Sequence, residues 1–133
     1  CGGLMYLCRR LVWGERVGEM AGVLPATVVM EGRPAGHGYV AGEVVGENAF
    51  YPVGLTFRGH EFHHSRVDLE GDLPRAFRLH RGQGLGGGAD GLVWRNVLAS
   101  YTHVHAVGTP QWAPGLVEAA RRFRRGEVVR KAR

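Results

Sequence analysis

Apolar side chains at Leu4, Leu7, Cys8, Leu11 and Val12 recur at helical spacing, and Gly14 supplies a stop, so the pattern predicts a first helix reaching from Leu4 toward Gly14. Glu19 to Pro25 reads as an irregular connection. Ala26-Thr27-Val28-Val29-Met30 then has the β-branched content of a short strand, and Glu31 to Gly38 reads as a turn. Beyond it the chain becomes strand-like, over 38–45, 53–67 and 75–80, and again, after the glycine-rich stretch from Gly82 to Gly88, over 92–95 and 97–105. Thr109-Pro110 reads as a cap followed by proline in the first turn of a closing helix, whose apolar stripe is Leu116, Val117, Ala119, Ala120 and Phe123. No internal repeat interrupts this order. The pattern predicts an α/β protein with a β-rich middle and flanking helices.

Composition narrows the picture without redirecting it. A chain of 133 residues with 44% hydrophobic content is large enough for one domain with a packed core. No run of about 18 apolar residues and no basic, apolar leader occurs, which predicts neither a membrane span nor a secretory signal. Two cysteines, Cys1 and Cys8, are too few for a zinc cage and too close for a staple within one helix, which suits a reducing compartment, the cytoplasm by default. The first residue is not Met, and the strand expected to lead into Cys1 is not in the sequence. The chain therefore reads as a fragment or a processed product. The formal charge of +5 comes largely from Arg121, Arg122, Arg124, Arg125, Arg130, Lys131 and Arg133. Without aromatic interleaving or a nucleic-acid motif, that cluster reads as a solvated helix end and not as a nucleic-acid surface.

Four stretches carry residue types suited to chemistry. Cys1-Gly2-Gly3, followed by Leu4-Met5-Tyr6-Leu7, has the makings of a nucleophile elbow. Small neighbours let the backbone come close, and a helix N-terminus aimed at the sulfur lowers a thiol pKa from its usual ~8.5. A buried, inert cysteine is the alternative, and a third reading uses the Cys1 α-amine as its own base, as in amidotransferases that begin on a strand. His60-Glu61-Phe62-His63-His64 matches H-E-x-x-H, which binds zinc only on a helix. Its flanks are strand-like, so His60, Phe62 and His64 are expected on one face, with Glu61 and His63 on the other as cleft candidates or as ordinary sheet residues, and no metal is expected. Gly82, Gly84 and Gly87 fit G-x-G-x-x-G, but no helix follows, which leaves a mobile surface loop. Tyr101-Thr102-His103-Val104-His105 puts two imidazoles on one strand face, and a thiol nucleophile requires such a base within hydrogen-bond reach.

Taken in order, Cys1-Gly2-Gly3-Leu4-Met5-Tyr6-Leu7, Gly59-His60-Glu61-Phe62-His63-His64-Ser65 and Ala99-Ser100-Tyr101-Thr102-His103-Val104-His105 resemble the glutaminase domain of the cobyrinic acid a,c-diamide synthase family. The resemblance covers nearly the whole chain. It implies a class I glutamine amidotransferase domain on a flavodoxin-like α/β scaffold, of which residues 1–133 are the C-terminal portion. A P-loop synthetase domain that binds ATP and Mg²⁺ would precede it, and no cofactor is expected within this stretch. The partners implied are glutamine, a tetrapyrrole carboxylate and that synthetase domain, with neither nucleic acid nor membrane.

Carried over by residue, the resemblance makes Cys1 the nucleophile, His103 the base and the Gly2 backbone N–H an oxyanion donor, and it sets Glu61 and His63 near the active site. Other class I amidotransferases have a glutamate two residues after that histidine. Here His105 stands in its place, which favours a Cys-His dyad and leaves His105 open as base or orienter. The segments Glu47-Asn48-Ala49-Phe50-Tyr51-Pro52-Val53-Gly54 and Gly108-Thr109-Pro110-Gln111-Trp112-Ala113 look like branches that amidate sirohydrochlorin or sirohaem instead of a corrinoid. A non-catalytic binding domain is the reading from another class. The second oxyanion donor is expected upstream of Cys1, so this stretch alone is expected to turn over little glutamine.

Overall fold

The computed structural model describes residues 1–127. Arg130, Lys131 and Arg133 of the basic tail lie outside them. The first helix, α1 (Gly2–Leu7), is shorter than the apolar spacing predicts. Cys8 leaves it in an extended conformation, and the connection that follows caps it: Ala21 N–H donates to Tyr6 O, Leu24 N–H to Leu7 O and Gly22 N–H to Cys8 O at 2.8–3.0 Å. With its last carbonyls already satisfied, the helix stops. The predicted continuation through Leu11 and Val12 is instead β1 (Arg10–Trp13), which turns at Gly14 (φ +61°) into β2 (Arg16–Glu19) and pairs in parallel with β3 (Ala26–Met30). A two-residue hairpin turn requires that positive φ, which glycine adopts without strain. β3 matches its predicted bounds.

The middle of the chain is β4 (Gly36–Val44), β5 (Thr56–His63), β6 (Ser65–Leu69), β7 (Arg75–Arg81), β8 (Ala89–Trp94), β9 (Val97–Ala99) and β10 (His103–Val104). Two strands expected as single runs are broken. The run over 53–67 divides at His64, sending β5 and β6 into different sheets, and the run over 97–105 divides at Ser100-Tyr101-Thr102. One sheet has the order β2-β1-β3-β6 and the other β10-β5-β4-β7-β8-β9, with antiparallel neighbours apart from the β1–β3 pair. The mixed α/β class with a β-rich middle is the architecture found.

One consequence of that order governs the site. β9 and β10 are consecutive in the chain yet stand at opposite edges of the six-stranded sheet. Flat, its outer strands would lie about 24 Å apart, from roughly 4.8 Å per neighbour. The four Cα steps from Ala99 to His103 reach at most about 15 Å. The sheet must therefore curl until its edges nearly meet, assisted by a register shift at Ala41/Gly42 between β4 and β7. Gly42 is needed there, since a Cβ would sit 2.6 Å from the Arg78 carbonyl oxygen.

Two apolar clusters hold these layers. Leu4, Cys8, Leu24, Ala26 and Val28 pack with Leu73, Leu92, Ala99 and Tyr101, joining α1 and the small sheet to β8 and β9. Val40, Val44, Phe57, Ala76, Phe77 and Leu79 fill the inside of the curled sheet. The closing helix α2 (Trp112–Arg124) starts two residues later than the Pro110 signal suggests, with Gln111 as its N-cap and Thr109 buried just before it. Gly115 lies against the Phe50 carbonyl, and the Arg122 guanidinium donates to Ala49 O at 2.6 Å, while Leu116, Val117 and Phe123 of the predicted stripe stay exposed. Among the described residues, no helix is long and apolar enough to cross a membrane.

Candidate active site

Cys1 is the N-cap of α1 and partly exposed. Its backbone nitrogen donates to Ser100 O at 2.6 Å, and its Sγ lies 3.7 Å from Phe62 O on β5. Both contacts reach across the fold to the strand ends that carry the histidines. In β10, His103 pairs with His60 of β5, and their rings stack at 4.8 Å with planes 13° apart. Burial first, and after it the neighbouring His60 and His63, lower the His103 pKa from its ordinary value. His105 is placed differently. It lies in the turn beyond β10, its Nδ1 accepts from Val107 N–H at 3.2 Å, and its carbonyl accepts from Thr109 N–H. The two imidazoles therefore do not share one strand face.

Burial alternates along β5, with Phe57, Glu61 and His63 inward and Arg58, His60 and Phe62 outward. A strand cannot bring His60 and His64 together as a helix would, so the H-E-x-x-H match has no zincin geometry. The inward pair is engaged with the protein itself. Glu61 Oε1 accepts from Gln83 N–H at 2.7 Å and Oε2 from Gly84 N–H at 2.8 Å. His63 stacks on Tyr101 at 3.6 Å, its Nδ1 bonds to Ser65 O at 2.9 Å, and its Nε2 stands 3.6 Å from Glu61 Oε2. Gly36, opposite His63 on β4, leaves the room that both side chains occupy. The glycine-rich segment, expected as a surface loop, is thus pinned at its start: Gly84 is buried, with φ +54°.

Residue types alone did not single out the group that joins these parts. Asp90 is fully buried in β8 and saturated. Its Oδ1 accepts from Gly91 N–H (2.8 Å) and Tyr101 N–H (3.1 Å), and its Oδ2 from Thr102 N–H (2.8 Å) and Thr102 Oγ1 (2.6 Å). Asp90-Gly91 reads in sequence as a turn leading into a strand. The available signal was an aspartate heading the apolar run Leu92-Val93-Trp94, where a buried carboxylate must find donors. Tyr101 and Ser65 were missed likewise; their hydroxyls share a 2.7 Å hydrogen bond, and burial pushes the Tyr101 phenol up to about 12.

The segments 47–54 and 108–113 meet in one open, apolar cavity of about 470 Å³, lined by Phe50, Pro52, Pro110, Gln111, Pro114 and Gly115. None of the candidate site residues lines it.

The family model of the CobB/CobQ-like glutamine amidotransferase domain matches residues 1–111. The chain is 42% identical over 117 residues to a cobyrinate a,c-diamide synthase of Magnetococcus marinus, covering 87% of this chain and 25% of that protein. It is 44% identical over 123 residues to the enzyme of that name from Methanothermobacter thermautotrophicus, covering 92% and 27%. For the one from Halobacterium salinarum the figures are 41% over 110 residues, 82% and 25%. The chain spans about a quarter of the length of these relatives.

Proposed function

Since the chain belongs to the CobB/CobQ-like glutamine amidotransferase family, we propose that Cys1 and His103 hydrolyse glutamine, with Cys1 as nucleophile and His103 as the base that first takes and then returns its proton. The observation that carries this reading is the double tie of Cys1: its nitrogen on Ser100 O, three residues before His103, and its sulfur on Phe62 O, two residues beyond the His60 ring that stacks on His103. The lowered His103 pKa favours a neutral imidazole near pH 7, the form that can accept the thiol proton. The local bond of His105 Nδ1 to Val107 N–H supports His103 over His105 in that role.

His103 removes the Cys1 thiol proton and the sulfur attacks the glutamine δ-carbonyl. The Gly2 backbone N–H, free of any intrahelical partner as part of the first turn, donates to the oxyanion. The C–N bond breaks as His103 protonates the leaving ammonia, which leaves a γ-glutamyl thioester. Water, deprotonated by His103, then releases glutamate and restores the thiol. Glu61 and His63 support the chemistry from behind by shaping the wall on which Gln83, Gly84 and Tyr101 rest.

The names of the relatives support a cobyrinate-type acceptor, whose a and c carboxylates would receive the ammonia. Activation of those carboxylates by ATP and Mg²⁺ belongs, in this proposal, to a synthetase domain preceding the matched region. Among the described residues no three His, Cys, Asp or Glu side chains converge as a cation site, and none is assigned to that step. Sirohydrochlorin or sirohaem is the competing acceptor, and segments 47–54 and 108–113, which form one cavity wall, are where the choice would be made.

The test is labelling by the glutamine analogue diazo-oxo-norleucine in the full-length synthase. Modification of Cys1, abolished by glutamine in excess and by His103→Ala, is expected. Equal modification of Cys1 and Cys8 would favour a non-catalytic binding domain. Ammonia transfer assayed with cobyrinate and with sirohydrochlorin then separates the acceptors.

A further inference from the structure

We infer that Asp90 is the positioning residue that sets Cys1 and His103 against each other, an inference that rests on the glutaminase reading above. The segment Ser100-Tyr101-Thr102 joins opposite edges of the curled sheet and lies outside the named strands. Its amides therefore need acceptors from elsewhere, and Asp90 takes two of them in succession, Tyr101 and Thr102, together with the Thr102 hydroxyl. The next residue is His103. On its other side, the same segment presents the Ser100 carbonyl to the Cys1 nitrogen, and the Ser100 hydroxyl closes the corner on Thr102 O at 3.0 Å. One carboxylate thus holds Tyr101 and Thr102, and through Thr102 the Ser100 corner, from which both reacting side chains take their places.

The arrangement depends on a carboxylate. Both oxygens act only as acceptors, receiving four donors at 2.6–3.1 Å with no exposure to solvent. An amide in the same place would turn one N–H₂ group toward donors that need an acceptor. The support behind Asp90 is equally specific: a Cβ on Gly84 would lie 2.8 Å from the Asp90 Cβ, so only glycine lets the loop held by Glu61 close over it. Glu61 and Asp90 thereby form two buried anchors on either side of Gly84, one for the loop and one for the corner. Asp90 is not within hydrogen-bond contact of either reacting group, and the contacts through which it reaches them run along Ser100–Thr102.

The experiment compares wild type, D90N and T102V in the full-length synthase, reading glutaminase kcat and KM and the rate at which diazo-oxo-norleucine modifies Cys1. Protection of Cys8 from a general thiol reagent serves as the check on folding. For D90N, kcat and the labelling rate should fall at least 10-fold with KM within about threefold, and Cys8 should stay protected. T102V removes one of the four donors and should give a smaller loss of the same kind, about three- to tenfold. If D90N loses Cys8 protection, T102V alone decides. A folded variant whose kcat and labelling rate stay within twofold of wild type, or one that loses only KM, overturns the positioning role. A wild-type Cys1 that ignores the analogue removes the glutaminase reading itself, and this inference with it.

Discussion

Cys1 and Cys8 lie seven residues apart and differ in exposure and in the carbonyl that each sulfur meets. Cys8 is fully buried, its Sγ donates to Leu4 O at 3.2 Å, and burial pushes its pKa up to about 11, so its thiolate at neutral pH is on the order of 0.1% or less. Cys1 is partly exposed at the start of α1. Alkylation by iodoacetamide at pH 7.5, followed by peptide mass spectrometry, should modify Cys1 at least 10-fold faster than Cys8. In the proposed reaction the pH dependence follows from His103 as the base. Its pKa lies below the ordinary histidine value, so the neutral base survives to lower pH, and the acid limb of kcat/KM should fall below about 6.5. Replacing His60 by Gln removes ring burial and a like charge together. Both changes act in the same direction, so in H60Q that limb should move up in pH; an unmoved profile would separate it from His103. Tyr101→Phe leaves the buried Ser65 hydroxyl without its partner and should cost about 1–3 kcal/mol in denaturant unfolding. Adding Ser65→Ala should recover part of that loss.

At the scale of elements, β10 is the shortest strand among the described residues, and it carries the proposed base. β10 consists of His103 and Val104 and is held to β5 across His60 and Gly59. A Cβ on Gly59 would strike the His103 carbonyl and come within 2.9 Å of Thr102 Cγ2. Gly59→Ala should therefore displace β10 at a stability cost of about 1–3 kcal/mol. Glutaminase kcat should fall at least 10-fold, beyond what that stability loss explains. Gly18→Ala on β2, where the nearest atom to a new Cβ is 4.0 Å away, serves as the control and should leave both quantities nearly unchanged. The shortening of α1 has a related cause. The apolar period continues past Leu7, but the chain returning through Ala21 to Leu24 offers donors to the helix carbonyls, and β3 beyond it offers a partner strand to Arg10–Val12. Tertiary hydrogen bonding overrides a local preference worth only tenths of a kcal/mol per residue.

For the whole molecule, the described chain carries Cys1, His103 and the Gly2 amide but spans about a quarter of its relatives. In the proposal, a second oxyanion donor and the activation of the acceptor come from the remainder. Loss of one such donor lowers turnover by about 10²-fold or more. Ammonia release by the isolated chain should accordingly fall at least that far below that of the proposed full-length enzyme, and comparable rates would show that this stretch is sufficient.

Residue identity and spacing determined a good deal unaided. The thiol flanked by glycines, the histidines of the Tyr101–His105 stretch, the period of two along β5 and the β-rich middle between helical ends all follow from chemistry local to a few neighbouring residues. What local chemistry could not decide is where a strand breaks, since Ser100-Tyr101-Thr102 has as much strand character as its flanks. Only closure of the six-stranded sheet forces that break. Asp90 was illegible for the same reason: its partners lie 11 and 12 residues further along, and a buried carboxylate has a function only once the fold has delivered its donors.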